Sequence, residues 1–107
     1  MKEVFFALVE SALSGSDEDA KELAQDMCEV AFRYTKYRFD WNFMSNEERA
    51  KQDSFRTSAH NRTIDAINIF LRYMGKSTQV PDISDWGRKE YGDLANELVS
   101  FLAIRQR

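Results

Sequence analysis

Asp53, Arg56 and His60 are the residues of this 107-residue chain whose types and spacing are best suited to chemistry. Side chains at positions i, i+3 and i+7 lie on one face of an α-helix, so we expect all three to share a surface. Arg56 could bind an anionic group through two parallel N–H donors, Asp53 could orient Arg56, and His60 could hydrogen-bond to either. In this arrangement the nearby carboxylate would raise the pKa of His60, and anion binding would weaken as the pH rises.

The same three residues also allow a simpler interpretation. Further along the chain, the same helical face carries the apolar residues Ile64 and Ile67, so this face changes from polar to apolar halfway along the helix. If a helical bundle ends at that point, Asp53, Arg56 and His60 face water. A ligand-binding or enzymatic bundle centred on these residues and an ordinary solvated bundle end both stay open as interpretations.

A second candidate is the stretch 32–43, FRYTKYRFDWNF, in which aromatic and basic residues are interleaved. Aromatic rings can stack on nucleic-acid bases while cations hold the phosphates. One interpretation is therefore a nucleic-acid-binding regulator that uses this stretch together with Arg and Lys residues of the following helix. The simpler interpretation is an aromatic-rich loop over residues 37–44 that covers one end of a bundle, with ordinary surface cations beside it.

The residue inventory does not favour metal or nucleophilic chemistry. His60 and Cys28 are the only histidine and the only cysteine, which is too few for a conventional zinc site. The Glu-x-x-His pairs typical of di-iron bundles are absent from the sequence. Cys28 lies in an apolar strip, where an inert core thiol is expected. We therefore assign no catalytic residue, no metal and no cofactor, and enzyme function is left open without support.

Composition favours a soluble protein in a reducing compartment. With 31% charged residues and a net charge of −3, the chain does not resemble a general polyanion binder. A single cysteine excludes an internal disulfide framework. The apolar run VFFALV at residues 4–9 is too short for a signal peptide or a membrane span. A cytoplasmic location is the resulting expectation.

Helical patterning predicts a single all-α domain over residues 1–107. One proline, four glycines and many good helix formers favour helices over strands. The third predicted helix is the longest, and Ser45 with Glu48 forms a capping box at its start. Its apolar positions recur at steps of three and four. The prediction is an up-down bundle organised around this helix, with about four helices at approximately 2–13, 16–38, 46–74 and 84–104.

Charge and apolar residues are both distributed in a way that indicates self-association. Residues 1–30 carry two basic and eight acidic residues, a net charge of −6, whereas residues 31–76 carry nine basic and five acidic residues, a net charge of +4. Such asymmetry can steer a partner or allow two copies to meet. A small core cannot cover every apolar side chain, and the expected interface comprises Phe6, Leu13, Phe39, Trp41, Phe43 and Ile69.

The sequence as a whole therefore predicts a small soluble helical module for interaction or regulation. A homodimer is the simplest assembly, because two-fold dimers are the commonest oligomers. Another protein is a further possible partner. A nucleic-acid partner has no recognition motif to support it, and no membrane contact is expected.

Overall fold

Four α-helices make up most of the computed structural model, which describes residues 2–105. Their bounds are Lys2–Ser14 for α1, Glu18–Trp41 for α2, Asn46–Met74 for α3 and Arg88–Arg105 for α4. Of the described residues, 81% are helical and none lies in a strand. The prediction of an all-α helical bundle is confirmed.

The helix α2 begins at Glu18, two residues later than the sequence predicted, because Asp17 caps it. The Asp17 carboxylate accepts hydrogen bonds from the backbone N–H groups of Asp19 and Ala20, so Asp17 is the N-cap. The Tyr73 hydroxyl, near the end of α3, donates a hydrogen bond to the same carboxylate at 2.8 Å. Together these bonds lower the pKa of Asp17, the largest cause being the bond from Tyr73.

The end of α2 differs from the prediction. Residues up to Trp41 are helical, so α2 extends three residues beyond its predicted end at residue 38 and takes up the first part of the segment interpreted as an aromatic loop. Trp41 stays in the helix because it meets α3: its carbonyl accepts a hydrogen bond from Arg49 Nε at 3.0 Å, and its ring lies under the guanidinium groups of Arg49 and Arg56. Aromatic and polar residues alternate in this segment, a pattern that does not favour a helix by itself. The tertiary contact with α3 decides its conformation.

The third helix has the bounds that the sequence predicted. The Ser45 hydroxyl accepts from the Glu48 N–H, and the Glu48 carboxylate accepts from the Ser45 N–H, which completes the capping box. Ile67 and Phe70 are fully buried at the centre of the bundle. The largest fully buried side chains of the described residues are Val9, Met27, Thr63, Ile67, Phe70, Leu94 and Leu98.

The fourth helix begins at Arg88 rather than near residue 84. Asp82 accepts a hydrogen bond from the Ser84 N–H, and the Trp86 N–H donates to the Ile83 carbonyl, so residues 82–86 form turns. The Glu90 carboxylate accepts from the Gly87 N–H at 3.0 Å. These local bonds hold the residues before the helix in a non-helical path.

Contacts between the helices show their directions. Tyr73 near the end of α3 meets Asp17 before α2, whereas Arg49 near the start of α3 meets Trp41 at the end of α2. These two helices are therefore antiparallel.

The helix α4 runs in the same direction as α3. Arg88 Nη1 donates to Asn61 Oδ1 at 2.9 Å, and three residues later the Tyr91 hydroxyl meets Asn68. The connection 75–87, with Ile83 buried in it, carries the chain back to the middle of α3. This return takes the place of the short turn that a strictly alternating bundle would have.

Because α4 starts beside the middle of α3, the distal parts of α2 and α3 extend beyond it. None of the residues from 35 to 58 is buried, which marks this segment as an extension of two helices packed chiefly on each other. We call residues 35–58 the α2–α3 extension. No helix among residues 2–105 combines the length and apolar character that crossing a membrane requires.

Candidate functional site

A polar opening of about 330 Å³ lies where the start of α4 meets α2 and α3. The three helices all contribute side chains to it. Its lining consists of Tyr34 and Arg38 from α2, Arg56, Thr57 and His60 from α3, and Arg88, Lys89 and Gly92 from α4. We call it the cationic cleft, because four of its eight lining residues carry a positive charge and none carries a negative charge.

Gly92 leaves room for the ends of two α2 side chains that line the cleft. A Cβ atom at this position would lie 2.9 Å from the Tyr34 hydroxyl oxygen and 3.1 Å from Arg38 Nη1. Both distances are tighter than ordinary van der Waals contact, so any larger residue would displace side chains of the cleft wall. A glycine in the interior of a helix lowers helix stability, and here the space taken by the ends of the Tyr34 and Arg38 side chains explains it.

The cations of the cleft are only partly compensated by acidic groups. Arg38 and Lys89 share Asp93 at 3.5 and 3.7 Å. Side chains at this degree of exposure form weak ion pairs, because solvent screens them. Arg88 donates to the neutral amide oxygen of Asn61. The site therefore keeps a positive potential although the whole chain is acidic.

Arg56 is the member of the cleft with an unused donor. Its guanidinium lies over the Trp41 ring, 4.9 Å from the ring centroid, which fixes the plane of the group. Its Nε atom is buried and has no hydrogen-bond acceptor among the residues that the structure describes. Buried donors in proteins are nearly always paired, so Arg56 has a guanidinium whose hydrogen-bonding capacity the described residues do not fully use.

His60 forms part of the cleft wall and is 8% exposed. Its ring stacks on Tyr34, with 4.5 Å between ring centroids. His60 Nε2 lies 3.0 Å from the Arg88 carbonyl oxygen. Because a carbonyl can only accept, Nε2 carries the proton in the neutral ring. This bond ties the middle of α3 to the first turn of α4.

Burial lowers the pKa of His60, and the positive charges of Arg88, Arg56 and Arg38 lower it further. The expected rise in this pKa is therefore wrong in direction. The expectation assumed that Asp53 would flank the imidazole, whereas three arginines surround it. His60 is consequently neutral at pH 7, and it contributes a polar wall rather than a charge.

Of the three residues that spacing along the helix proposed, two meet in the cleft. Arg56 and His60 both line it, whereas Asp53 is exposed and does not. Sequence analysis missed the contributions of α2 and α4. A signal for part of them exists, because Arg88 and Lys89 begin a helix, where basic residues are disfavoured by the helix dipole.

The proposed interface residues fall into two groups. Phe6 and Leu13 are half-buried against the core, with Phe6 stacked on Phe101, and Trp41 is half-buried beneath the arginines of α3. Phe39, Phe43 and Ile69 are exposed, so these three present apolar surface to solvent.

Cys28 is the remaining candidate for a nucleophile, and it is half-buried. Burial raises the pKa of its thiol to about 11, so the side chain is a neutral thiol at pH 7. Within residues 2–105, no three side chains of the His, Cys, Asp and Glu types lie close enough together to hold a metal ion.

Comparison with known proteins identifies no relative of the chain. No protein-family model, no curated protein and no solved structure matches the chain.

Proposed function

We propose that the chain is a small helical regulatory module that binds a phosphate-bearing ligand in the cationic cleft. The observation that carries the proposal is the convergence of three arginines from three different helices, Arg38, Arg56 and Arg88. Bringing like charges together opposes folding, so an anion that joins them stabilises the bound form. The cytoplasmic location expected from the single cysteine belongs to this proposal.

The chemistry of the donors favours phosphate. A guanidinium offers paired N–H groups in a planar fork, which matches two oxygens of a phosphate. Three such forks approach from separate helices, and a tetrahedral oxyanion can accept from several directions at once. A planar carboxylate has only two oxygens and fits this arrangement less well.

The environment of His60 favours binding over proton transfer. The imidazole is buried, stacked on Tyr34 and bonded through Nε2 to the Arg88 carbonyl. A general base must reach the proton that it removes, and here the bonded nitrogen already has a structural role. We therefore propose a ligand-binding module rather than an enzyme.

The test is a titration with inorganic phosphate in Tris buffer at constant ionic strength, followed by NMR. We expect saturable shifts of the backbone signals of residues 56–60 and 88–92. Phosphate should also raise the pKa of His60, because a nearby anion stabilises the imidazolium form. The single histidine of the chain makes this titration free of overlap.

Arg56→Gln is the variant that tests the site, and Arg72→Gln is its matched control. Both remove one positive charge from α3, but Arg72 is exposed and lies outside the cleft. Loss of a charged hydrogen bond should weaken phosphate binding by about tenfold or more in Arg56→Gln. Equal weakening in Arg72→Gln, or acetate binding as tightly as phosphate, would contradict the proposal.

Self-association is a second proposal, and the exposed phenylalanines support it. Phe39, Phe43 and Phe55 of the α2–α3 extension are each more than half exposed, as is Phe32 just before it. Phe39 and Phe43 also contact each other, with ring centroids 5.3 Å apart. Four exposed phenylalanines on a small protein, two of them in contact, are typical of an interaction surface.

Light scattering at micromolar concentration tests this second proposal. We expect a mass of about twice the 12.5 kDa of the single chain, and we expect Phe39→Ser with Phe43→Ser to return the protein to the monomer mass. The control is Ile104→Ser, because Ile104 is also exposed but lies at the end of α4. A monomer mass for the unmodified chain would remove the proposal.

A further inference from the structure

We infer that the ligand of the cationic cleft carries two or more linked phosphates, as in a diphosphate or a polyphosphate chain. This inference rests on the phosphate-binding function proposed above and narrows the class of ligand. Three features of the cleft support it: the amount of charge, the separate anchoring of the arginines, and the size of the opening.

The charge of the cleft exceeds that of one phosphate group. Four cations line it, and Asp93, the acidic group paired with two of them, lies beside it. The local charge is therefore about +3, whereas a single phosphate group carries about −1.5 to −2 at pH 7. Two linked phosphates bring the additional negative charge that balances the site.

The arginines are anchored to different partners on different helices. Arg56 lies on the Trp41 ring of α2, and Arg88 is held by Asn61 of α3. Arg38 lies against Gly92 and Asp93 of α4. Each contact uses only part of a guanidinium, which has five N–H donors, so donors remain available on three separately held arginines. A ligand with two anionic centres can reach separate arginines while each stays in place.

The size of the opening also favours a ligand with two or more linked phosphates. At about 330 Å³, it has room for on the order of ten water molecules. A single phosphate fills only part of such a space, and water would separate it from some of the cations. Water between opposite charges weakens their attraction, so a longer ligand gains contacts that a single phosphate lacks.

The remaining wall of the cleft suits a row of phosphate oxygens. Tyr34 and Thr57, which carry hydroxyl groups, also line it, and Lys89 supplies a flexible point charge. Arg88 and Lys89 also lie in the first turn of α4, where the helix dipole favours negative charge. Together these neutral and charged groups place donors along the opening instead of at one point.

The experiment compares inorganic phosphate, pyrophosphate and tripolyphosphate by isothermal titration calorimetry, without divalent metal and at constant ionic strength. We expect pyrophosphate to bind at least about tenfold more tightly than phosphate. Citrate, which carries a similar negative charge on carboxylates, is the control for charge alone and is expected to bind no better than phosphate.

Two variants test whether separate arginines hold separate phosphates. In Arg56→Gln and in Arg88→Gln, each examined for its fold by circular dichroism, the preference for pyrophosphate over phosphate should fall to within about threefold. Arg72→Gln, outside the cleft, should keep the full preference.

The possible results separate this inference from the function on which it rests. Equal affinities for phosphate and pyrophosphate would overturn the linked-phosphate inference and leave a single-phosphate site. Citrate binding as tightly as pyrophosphate would overturn it in favour of recognition of charge alone. If neither phosphate nor pyrophosphate binds, both the inference and the proposed function fail.

Discussion

Replacing Val9 with aspartate is expected to lower the free energy of unfolding by more than about 4 kcal/mol. Val9 is completely buried between α1 and the rest of the bundle. A carboxylate at this position must either remain charged without a partner or take up a proton, and both states cost free energy. The free energy of unfolding of a small domain is only about 5–15 kcal/mol, so this substitution removes much of the stability. Urea denaturation followed by circular dichroism measures the change.

The matched control for Val9→Asp is Ala7→Asp. Ala7 lies two residues earlier on the same helix and is exposed, so the same carboxylate is introduced into water. We expect a loss below about 1 kcal/mol, most of it from the lower helix propensity of aspartate. A similar loss of stability in both variants would mean that helix formation in α1, and not burial at Val9, determines the result.

Replacing Phe70 with alanine is expected to lower the free energy of unfolding by about 3–5 kcal/mol. Phe70 is fully buried, and its ring meets Phe5 edge to face with 6.1 Å between ring centroids. The substitution removes apolar area from the core and leaves a cavity where α1 packs on α3. Chemical denaturation of the purified variant gives the value directly.

Ile69 provides the comparison for Phe70. It is the preceding residue of α3 and is 45% exposed, so Ile69→Ala removes apolar atoms that already contact water. We expect its cost to remain below about 1 kcal/mol. If the two variants are equally destabilised, the direction in which α3 faces the core is not the one described here.

The sequence was sufficient to predict those elements whose ends depend on local interactions. The capping box of Ser45 and Glu48 is complete within four residues, and α3 therefore has its predicted start. The end of α2 depends instead on Arg49 and Arg56 of α3, which contact Trp41 from another helix. A pattern along one segment contains no information about such a contact, and the predicted end of α2 came too early for that reason.

The candidate site also divides into a part that local spacing predicts and a part that depends on contacts between helices. Spacing on one helix brought Arg56 and His60 to the same face, and both line the cleft. The other cations come from α2 and α4, whose positions relative to α3 depend on the path of residues 75–87. Periodicity predicts which face of a helix is apolar, but it does not predict how far one helix is shifted along another. The reversed pKa shift of His60 follows from this, because the arginines that lower it come partly from those other helices.

The pairing of α1 with α4 has a consequence for the order of folding. Lys2 with Glu97 and Glu10 with Arg105 form ion pairs across 95 positions of the chain, so this contact closes a loop that includes nearly every residue. Closing a long loop is entropically unfavourable until the intervening chain is ordered. The helices α1, α2 and α3 follow one another through short connections, so contacts among them are expected to form early, with α4 docking last. Since Arg88, Lys89 and Gly92 of α4 line the cationic cleft, we expect the cleft to be completed only in this last step.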